Sequence, residues 1–284
     1  MQKNYLQYKA NLNVFGIDDT KIEALKKQNQ IPYICLNPLD YKKYIDVAEP
    51  KENAPLIGFL CCREKDMYSA DFNYVKSLTK SGARLRFLTY DNVAAQMYDI
   101  DALMLPGGRF PSPKQFYIDE LSAPEQSAGV RSDAYLTCID EAEKREMPIF
   151  GVCAGAQMLA CVHGFKLYKN VKQAVKSDLE HKTIELEAHK IRINENTILH
   201  KLLGTTEAVV NSRHIEALVN NNPDSDIQIY AVASDNVPEA WGNEAKNILC
   251  IQWHPEDFAA VGSKSMQNLY NWLAQKAAER KAKK

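Results

Sequence analysis

No apolar run in the 284 residues approaches the ~20 needed to span a bilayer, so no membrane-spanning helix is expected. Excess charge is also missing. Lys and Arg number 35 against 36 Asp and Glu, a formal net charge of −1. That balance supplies no global attraction to nucleic acid or to an anionic membrane. There is no Cys-x-x-Cys, and the seven cysteines are odd in number, which reads as reduced thiols rather than a disulfide framework. Met1 to Tyr5 leads into polar sequence without the apolar core of a secretion signal, so a cytoplasmic location is expected. A P-loop and a dinucleotide fingerprint are absent, and His163, His181, His189 and His200 do not fall at ligand spacing. Neither a cofactor nor a metal is therefore expected. Internal repeats and low-complexity tracts are lacking too. What remains is the composition of an ordinary globular protein, 45% hydrophobic and 25% charged.

Within it, Pro148 to Ala160 stands out. A short apolar run, Pro148 to Val152, has the character of a buried strand, and an Ala-rich helical pattern follows until Gly164. Cys153 sits between them, with Gly151 two residues before and Gly155 two after. A sharp strand-to-helix turn needs such small neighbours, because larger side chains would meet the backbone. The turn would hold the sulfur at the tip of a sheet and at a helix N-terminus, where unpaired N–H groups favour an anion. A nucleophilic thiolate is one reading of Cys153. A small buried hydrophobe is the other.

The rest of the chain alternates strand and helix from Pro55 onward. Strands are predicted at 56–62, 84–88, 101–105 and 147–152, with helices at 70–81, 93–98 and 132–145. This βαβα order predicts an α/β fold, a doubly wound and mostly parallel sheet with helices on both faces. Ligands in such sheets bind beyond the C-terminal ends of the strands, where both Gly107-Gly108 and Cys153 should lie. After Gly164 the pattern predicts a small antiparallel addition, with strands at 183–186, 190–193, 208–214, 227–233, 238–241 and 248–253. A last helix covers 263–278, and 279–284 form a basic, frayed tail. Residues 1–53 differ in pattern: a capping box at Thr20 to Glu23 opens a short helix to about residue 28, a strand is predicted at 31–36 and a helix at 38–47. With Pro50 and Pro55 marking a boundary, 1–53 reads as an N-terminal extension and 54–284 as the main domain. The extension carries no nameable chemistry. Packing or oligomerisation is its expected use, and a homodimer is left open.

Ile248 to Glu256 supplies the groups that a cysteine nucleophile needs. The run is strand-like and ends in His254-Pro255-Glu256. Residues two apart on an extended chain face one side, so His254 and Glu256 can point together. A base to move the nucleophile's proton and a carboxylate to orient that base complete a triad with Cys153.

Gly151-Val152-Cys153-Ala154-Gly155-Ala156-Gln157 followed by Gln252-Trp253-His254-Pro255-Glu256 resembles the class I glutamine amidotransferase-like superfamily. The nearest branch is that of γ-glutamyl-γ-aminobutyrate hydrolase and γ-glutamyl hydrolase, peptidase family C26. Pro55-Leu56-Ile57-Gly58 matches its first strand, Leu105-Pro106-Gly107-Gly108 its oxyanion strand, and Val210-Asn211-Ser212-Arg213-His214 its substrate loop. The resemblance covers about residues 55–274. It implies that Cys153 attacks a γ-glutamyl carbonyl to form a thioester, with His254 as base and then acid and Glu256 orienting it. It also implies an oxyanion hole made by the N–H groups of Gly108 and Ala154. Gln157, one helical turn past Cys153, would hold the glutamyl carboxylate together with Gly107, and His214 would lie near the substrate. Arg109 and Arg213 are expected on the leaving-group side from their neighbours Gly108 and His214, an Arg at 109 being a departure from the family pattern. The expected function is hydrolysis of small γ-glutamyl amides, with no nucleic-acid or membrane partner. Three alternatives stand beside it: a glutaminase subunit feeding ammonia to a separate synthetase, a non-catalytic binding relative, and the related chaperone and deglycase group.

Overall fold

Short apolar runs bounded by turns become the strands of one ten-stranded sheet in the computed structural model, which describes residues 5–7, 34–36, 53–64, 67–108, 112–119, 129–221 and 223–284. In chain order the strands are β1 (Ile34–Leu36), β2 (Leu56–Leu60), β3 (Arg84–Leu88), β4 (Ala102–Leu105) and β5 (Ile149–Val152). They continue as β6 (His189–Ile193), β7 (Glu207–Val210), β8 (Gln228–Ala233), β9 (Pro238–Asn243) and β10 (Ile248–Ile251). Their spatial order is β7-β6-β8-β9-β10-β5-β4-β2-β3-β1.

The five strands from β10 to β3 pair in parallel. Strand β3 carries Arg84 and Arg86 among its apolar residues, while β2, β4, β5 and β10 are nearly unbroken apolar runs buried at every residue. That is what a strand covered on both faces requires. The remaining strands pair antiparallel on either side. The expected doubly wound sheet with an antiparallel addition is therefore what forms.

The helices are α1 (Phe72–Lys80), α2 (Val93–Gln96), α3 (Val130–Lys144), α4 (Ala154–Val162), α5 (Val171–Val175), α6 (Ile198–Leu203), α7 (Pro255–Ala260) and α8 (Lys264–Lys281). Helices α2, α3 and α4 pack in one chain of contacts, and α1, α6, α7 and α8 in another. Tyr270 of α8 meets Phe150 of β5 edge to face, with centroids 5.3 Å apart. Trp241 of β9 is fully buried and donates from Nε1 to the Ala156 carbonyl of α4 at 3.2 Å. These contacts tie α4 and α8 to the middle of the sheet.

Close packing of α4 explains Gly155. A Cβ there would run into the carbonyl oxygen of Leu105 and sit 2.8 Å from the Leu105 Cβ. Backbone cannot swing aside as a side chain can. Gly155→Ala is expected to lower stability by about 1–3 kcal/mol, the usual cost of overpacking, as a fall in the urea midpoint at unchanged slope.

Several expectations need correction. Residues 183–186 do not form a strand: Ile184 is 75% exposed, so its alternation buries nothing, and only a single bridge joins Lys182 to Arg213. The basic tail is docked. Helix α8 runs to Lys281, and Lys284 Nζ reaches Asp101 Oδ1 at 2.8 Å and the Ile100 carbonyl at 3.1 Å. Asp101 also accepts from the Leu56 N–H at 2.9 Å, so this buried carboxylate ties the tail to the start of β2. In the N-terminal segment, Tyr5–Gln7 pairs with Met67–Asp71, and β1 adds an edge to the main sheet against β3. The helices expected at 20–28 and 38–47 lie outside the described residues. Among the described residues no helix is long and apolar enough to cross a membrane.

Candidate active site

Three parallel strands deliver the candidate residues to one edge. Beyond the end of β4 come Pro106 to Gly108, beyond β5 comes Cys153, and beyond β10 comes His254. Cys153 adopts φ 51°, ψ −114°, a conformation non-glycine residues rarely hold. The surroundings enforce it. The Cys153 N–H is anchored to the Ile251 carbonyl at 2.8 Å, while the Cys153 carbonyl already accepts from Gln157 N–H at 2.9 Å as the first bond of α4. Gly151 lets the turn close, since a Cβ there would lie 2.9 Å from Ala156 Cα. Ala154 is the first residue of α4, so its N–H has no acceptor within the helix.

His254 is set differently from the expectation of an extended strand end. Strand β10 stops at Ile251, and His254 caps α7 with Pro255 at the first helical position, where a missing N–H costs nothing. Glu256 lies in the first turn and folds back to His254, with Oε1 2.6 Å from Nδ1. Asn211 clamps the backbone of His254: its Oδ1 accepts from the His254 N–H at 2.7 Å and its Nδ2 donates to the His254 carbonyl at 2.9 Å. The Tyr270 hydroxyl donates to Glu256 Oε2 at 3.3 Å. With Nδ1 committed to the carboxylate, Nε2 is the ring nitrogen left for the Cys153 sulfur. Burial would push the imidazole pKa down, but Glu256 and the sulfur push it up by more, so the net shift is upward.

Gly107 separates the two reacting side chains. A Cβ there would sit 2.9 Å from Cys153 Cβ and 3.0 Å from His254 Cε1. Its N–H donates to the Tyr74 hydroxyl at 3.2 Å and its carbonyl accepts from Arg131 Nη2 at 3.0 Å. Gly107 therefore works by its small size, and the expectation that it donates to substrate is not met. Gly108, at φ 149° and pressed against the Arg131 guanidinium, keeps its place as a candidate oxyanion donor alongside Ala154.

The other substrate assignments change. Gln157 is buried, and its amide N–H groups donate to the Glu216 carbonyl at 2.8 Å and to Gln252 Oε1 at 3.0 Å. A carbonyl can only accept, which fixes the amide orientation and leaves no donor for a substrate carboxylate. Arg213 is partly exposed and pairs with Asp257 at 2.6 Å, beside His254, so its charge is already met. His214 turns inward, with Nδ1 donating to the Glu216 carbonyl at 2.9 Å. Arg109 lies outside the described residues. Spacing along the chain also missed an assembly that the fold makes: His181, His189 and His214 converge on the buried Glu239.

Tyr74, Tyr270 and Arg131 went unrecognised, because a single Tyr or Arg in a helical pattern carries no signal of its own. Asn211 had one, its place in the Val210 to His214 run.

One further carboxyl belongs to this neighbourhood. Asp71 caps α1 by accepting from the Asn73 N–H at 2.9 Å, yet burial, with Glu256 and Asp257 nearby, pushes its pKa up to about 6. A raised acid stabilises the fold where it is protonated and loses that contribution as pH rises through 6. Asn caps a helix as well as Asp without ionising. Asp71→Asn is expected to raise Tm at pH 8 and to raise it much less at pH 4.5, by thermal melts at both values.

Known proteins resemble this chain in sequence and in fold. NtpR from Enterococcus hirae is 30% identical over 189 residues, 64% of this chain and 77% of that one. The γ-glutamyl-γ-aminobutyrate hydrolase PuuD of Escherichia coli is 24% identical over 229 residues, 72% of this chain and 86% of that one. A solved glutamine amidotransferase from Thermotoga maritima superposes with a TM-score of 0.57 at 13% identity, covering 80% of this chain and all of that one, so it shares the fold. The family model for peptidase C26 matches residues 55–256, from the start of the sheet to Glu256, and the chain belongs to that family.

Proposed function

We propose that the protein is a cysteine hydrolase that cleaves γ-glutamyl amide bonds through a thioester, releasing glutamate and an amine. The observation that carries the reading is the strained Cys153 turn beside a His254 whose far nitrogen is held by Glu256. In this reading His254 Nε2 takes the thiol proton and the sulfur attacks the γ-carbonyl carbon. The carbonyl oxygen gains the negative charge and is met by the N–H groups of Gly108 and Ala154. The C–N bond then breaks as the imidazolium returns the proton to the leaving amine, leaving a thioester. Water, giving its proton to His254, adds to that thioester, and the C–S bond breaks to release glutamate and restore the thiol. Glu256 stabilises the imidazolium formed in each half.

Membership of peptidase C26 and likeness to an Escherichia coli γ-glutamyl-γ-aminobutyrate hydrolase support the substrate class. An amine larger than ammonia gives the enzyme binding energy on the leaving side that glutamine cannot. The test is glutamate release by the isolated chain from γ-glutamyl-γ-aminobutyrate, γ-glutamylputrescine, a γ-glutamyl peptide and glutamine. A γ-glutamyl amide should give the highest kcat/KM. Glutamine as the best substrate would replace this reading with that of a glutaminase subunit.

A further inference from the structure

Behind the candidate site lies a polar cluster that the proposed hydrolysis does not use. Glu239, on β9, is fully buried, and three imidazoles surround its Oε1. His189 Nε2 is 3.2 Å away, and His181 Nδ1 and His214 Nε2 are each 3.5 Å away. All three histidine side chains are almost completely buried. We propose that His181, His189 and Glu239, with His214 beside them, form a binding site for one divalent cation of the zinc class.

The distances are those of a coordination shell. A tetrahedral ion with bonds of about 2.0–2.1 Å has ligand atoms about 3.3 Å apart along each edge, which is the spacing of these nitrogens from the carboxylate oxygen. The ligand atoms of His181, His189 and Glu239 lie within 4.8 Å of one another. His214 stands beside them, its Nε2 3.5 Å from the same Glu239 oxygen.

Tautomers strengthen the case. His214 Nδ1 faces the Glu216 carbonyl at 2.9 Å, and a carbonyl only accepts, so this nitrogen carries the hydrogen. His181 Nε2 donates in the same way to Asp235 Oδ2 at 2.9 Å. The opposite nitrogens, His181 Nδ1 and His214 Nε2, then present lone pairs to a carboxylate, and neither makes a hydrogen bond. Lone pair against lone pair in a dry interior is repulsive unless positive charge lies between. Among the described residues, Glu239 and Asp235 form ion pairs with histidines alone, so no lysine or arginine offsets their charge as a bound cation would. The outer bonds of His181 and His214, to a carboxylate and a backbone carbonyl, are the partners that orient metal-binding imidazoles.

The position suggests a positioning role. The Glu216 carbonyl that holds His214 also holds Gln157, one turn past Cys153. The Glu239 carbonyl accepts from the Gln252 N–H at 2.7 Å, two residues before His254. An ion there would stiffen the wall behind both reacting side chains without touching substrate.

The experiment uses full-length Cys153→Ala protein, so that the candidate nucleophile cannot act as a ligand. Elemental analysis after growth with added zinc should give one zinc per chain. After removal by a chelator, Co²⁺ should restore one equivalent, with visible d–d bands, no thiolate charge-transfer band and a raised Tm. Asp235→Asn, which loosens only the partner of His181, should weaken Co²⁺ binding about 10–100-fold. His189→Ala should abolish the spectrum. If that variant fails to fold, the spectrum, stoichiometry and Asp235→Asn result still decide. The proposal is overturned if excess Zn²⁺ or Co²⁺ neither binds nor shifts Tm, which would assign the missing charge to protons. It is equally overturned if binding survives unchanged in folded His189→Ala or in Asp235→Asn.

Discussion

Cys153→Ala is expected to abolish γ-glutamyl hydrolysis, with a loss of about 10⁴-fold or more, while the protein melts within a degree or two of the parent. Removing a nucleophile takes away the covalent path and leaves only the residual effect of binding and oxyanion donors. Alanine keeps the Cβ and the same backbone demands, so the strain at φ 51°, ψ −114° stays. Cys153→Gly separates the two effects. Glycine reaches this region without steric cost, and relief of strain worth about 1–3 kcal/mol should exceed its extra unfolded-chain entropy of roughly 0.5–1 kcal/mol. The glycine variant should be equally inactive yet more stable, by about 1 kcal/mol in urea unfolding. A variant less stable than the alanine one would show that the turn is relaxed, and that the elbow does not hold the sulfur under constraint.

The parallel half of the fold was legible because most of its buried strands are apolar runs of the right length, and the meeting of Cys153, His254 and Glu256, a candidate triad, because the three sit in short motifs. The antiparallel half was legible only roughly. Strand β6 was placed to within a residue, whereas the alternation at 183–186 is equally compatible with a surface segment, and burial rather than pattern decides between them. His254-Pro255-Glu256 was read as a strand end, but Pro255 fits the first turn of a helix just as well, and the same two side chains meet by a different route. The substrate contacts were the least legible. Gln157, Arg213 and His214 all lie near Cys153 or His254, and proximity in a motif does not tell which way a side chain turns. Glu216, Asp257 and Glu239, residues outside those motifs, settle the direction in each case. The histidine cluster was invisible for the same reason: its members come from separate strands and loops, with no repeat in their spacing.

His254→Ala should cost far more than Glu256→Gln, roughly fiftyfold more in kcat, because the imidazole moves the proton itself while the carboxylate only holds it. The pH profile distinguishes that role from a structural one. The His254 pKa is shifted upward, against burial, by Glu256 and the Cys153 sulfur. A group raised in this way keeps its protonated form, and the attraction to Glu256, up to a pH above its ordinary value, and loses both as pH rises through the folded pKa. Because His254 must be unprotonated to take the thiol proton, the acid limb of kcat/KM in the parent should lie well above pH 6.5. In Glu256→Gln the largest upward cause is gone while burial remains, so the limb should move to lower pH, with the same sign in the histidine shift followed by NMR. The Tyr270 hydroxyl, 3.3 Å from Glu256 Oε2, can still hydrogen-bond the amide, so the carboxamide keeps its place and the change is one of charge. An acid limb that stays fixed in Glu256→Gln, together with equal losses in both variants, would mean that Glu256 does not act through His254 and that the two groups work as separate parts of the site.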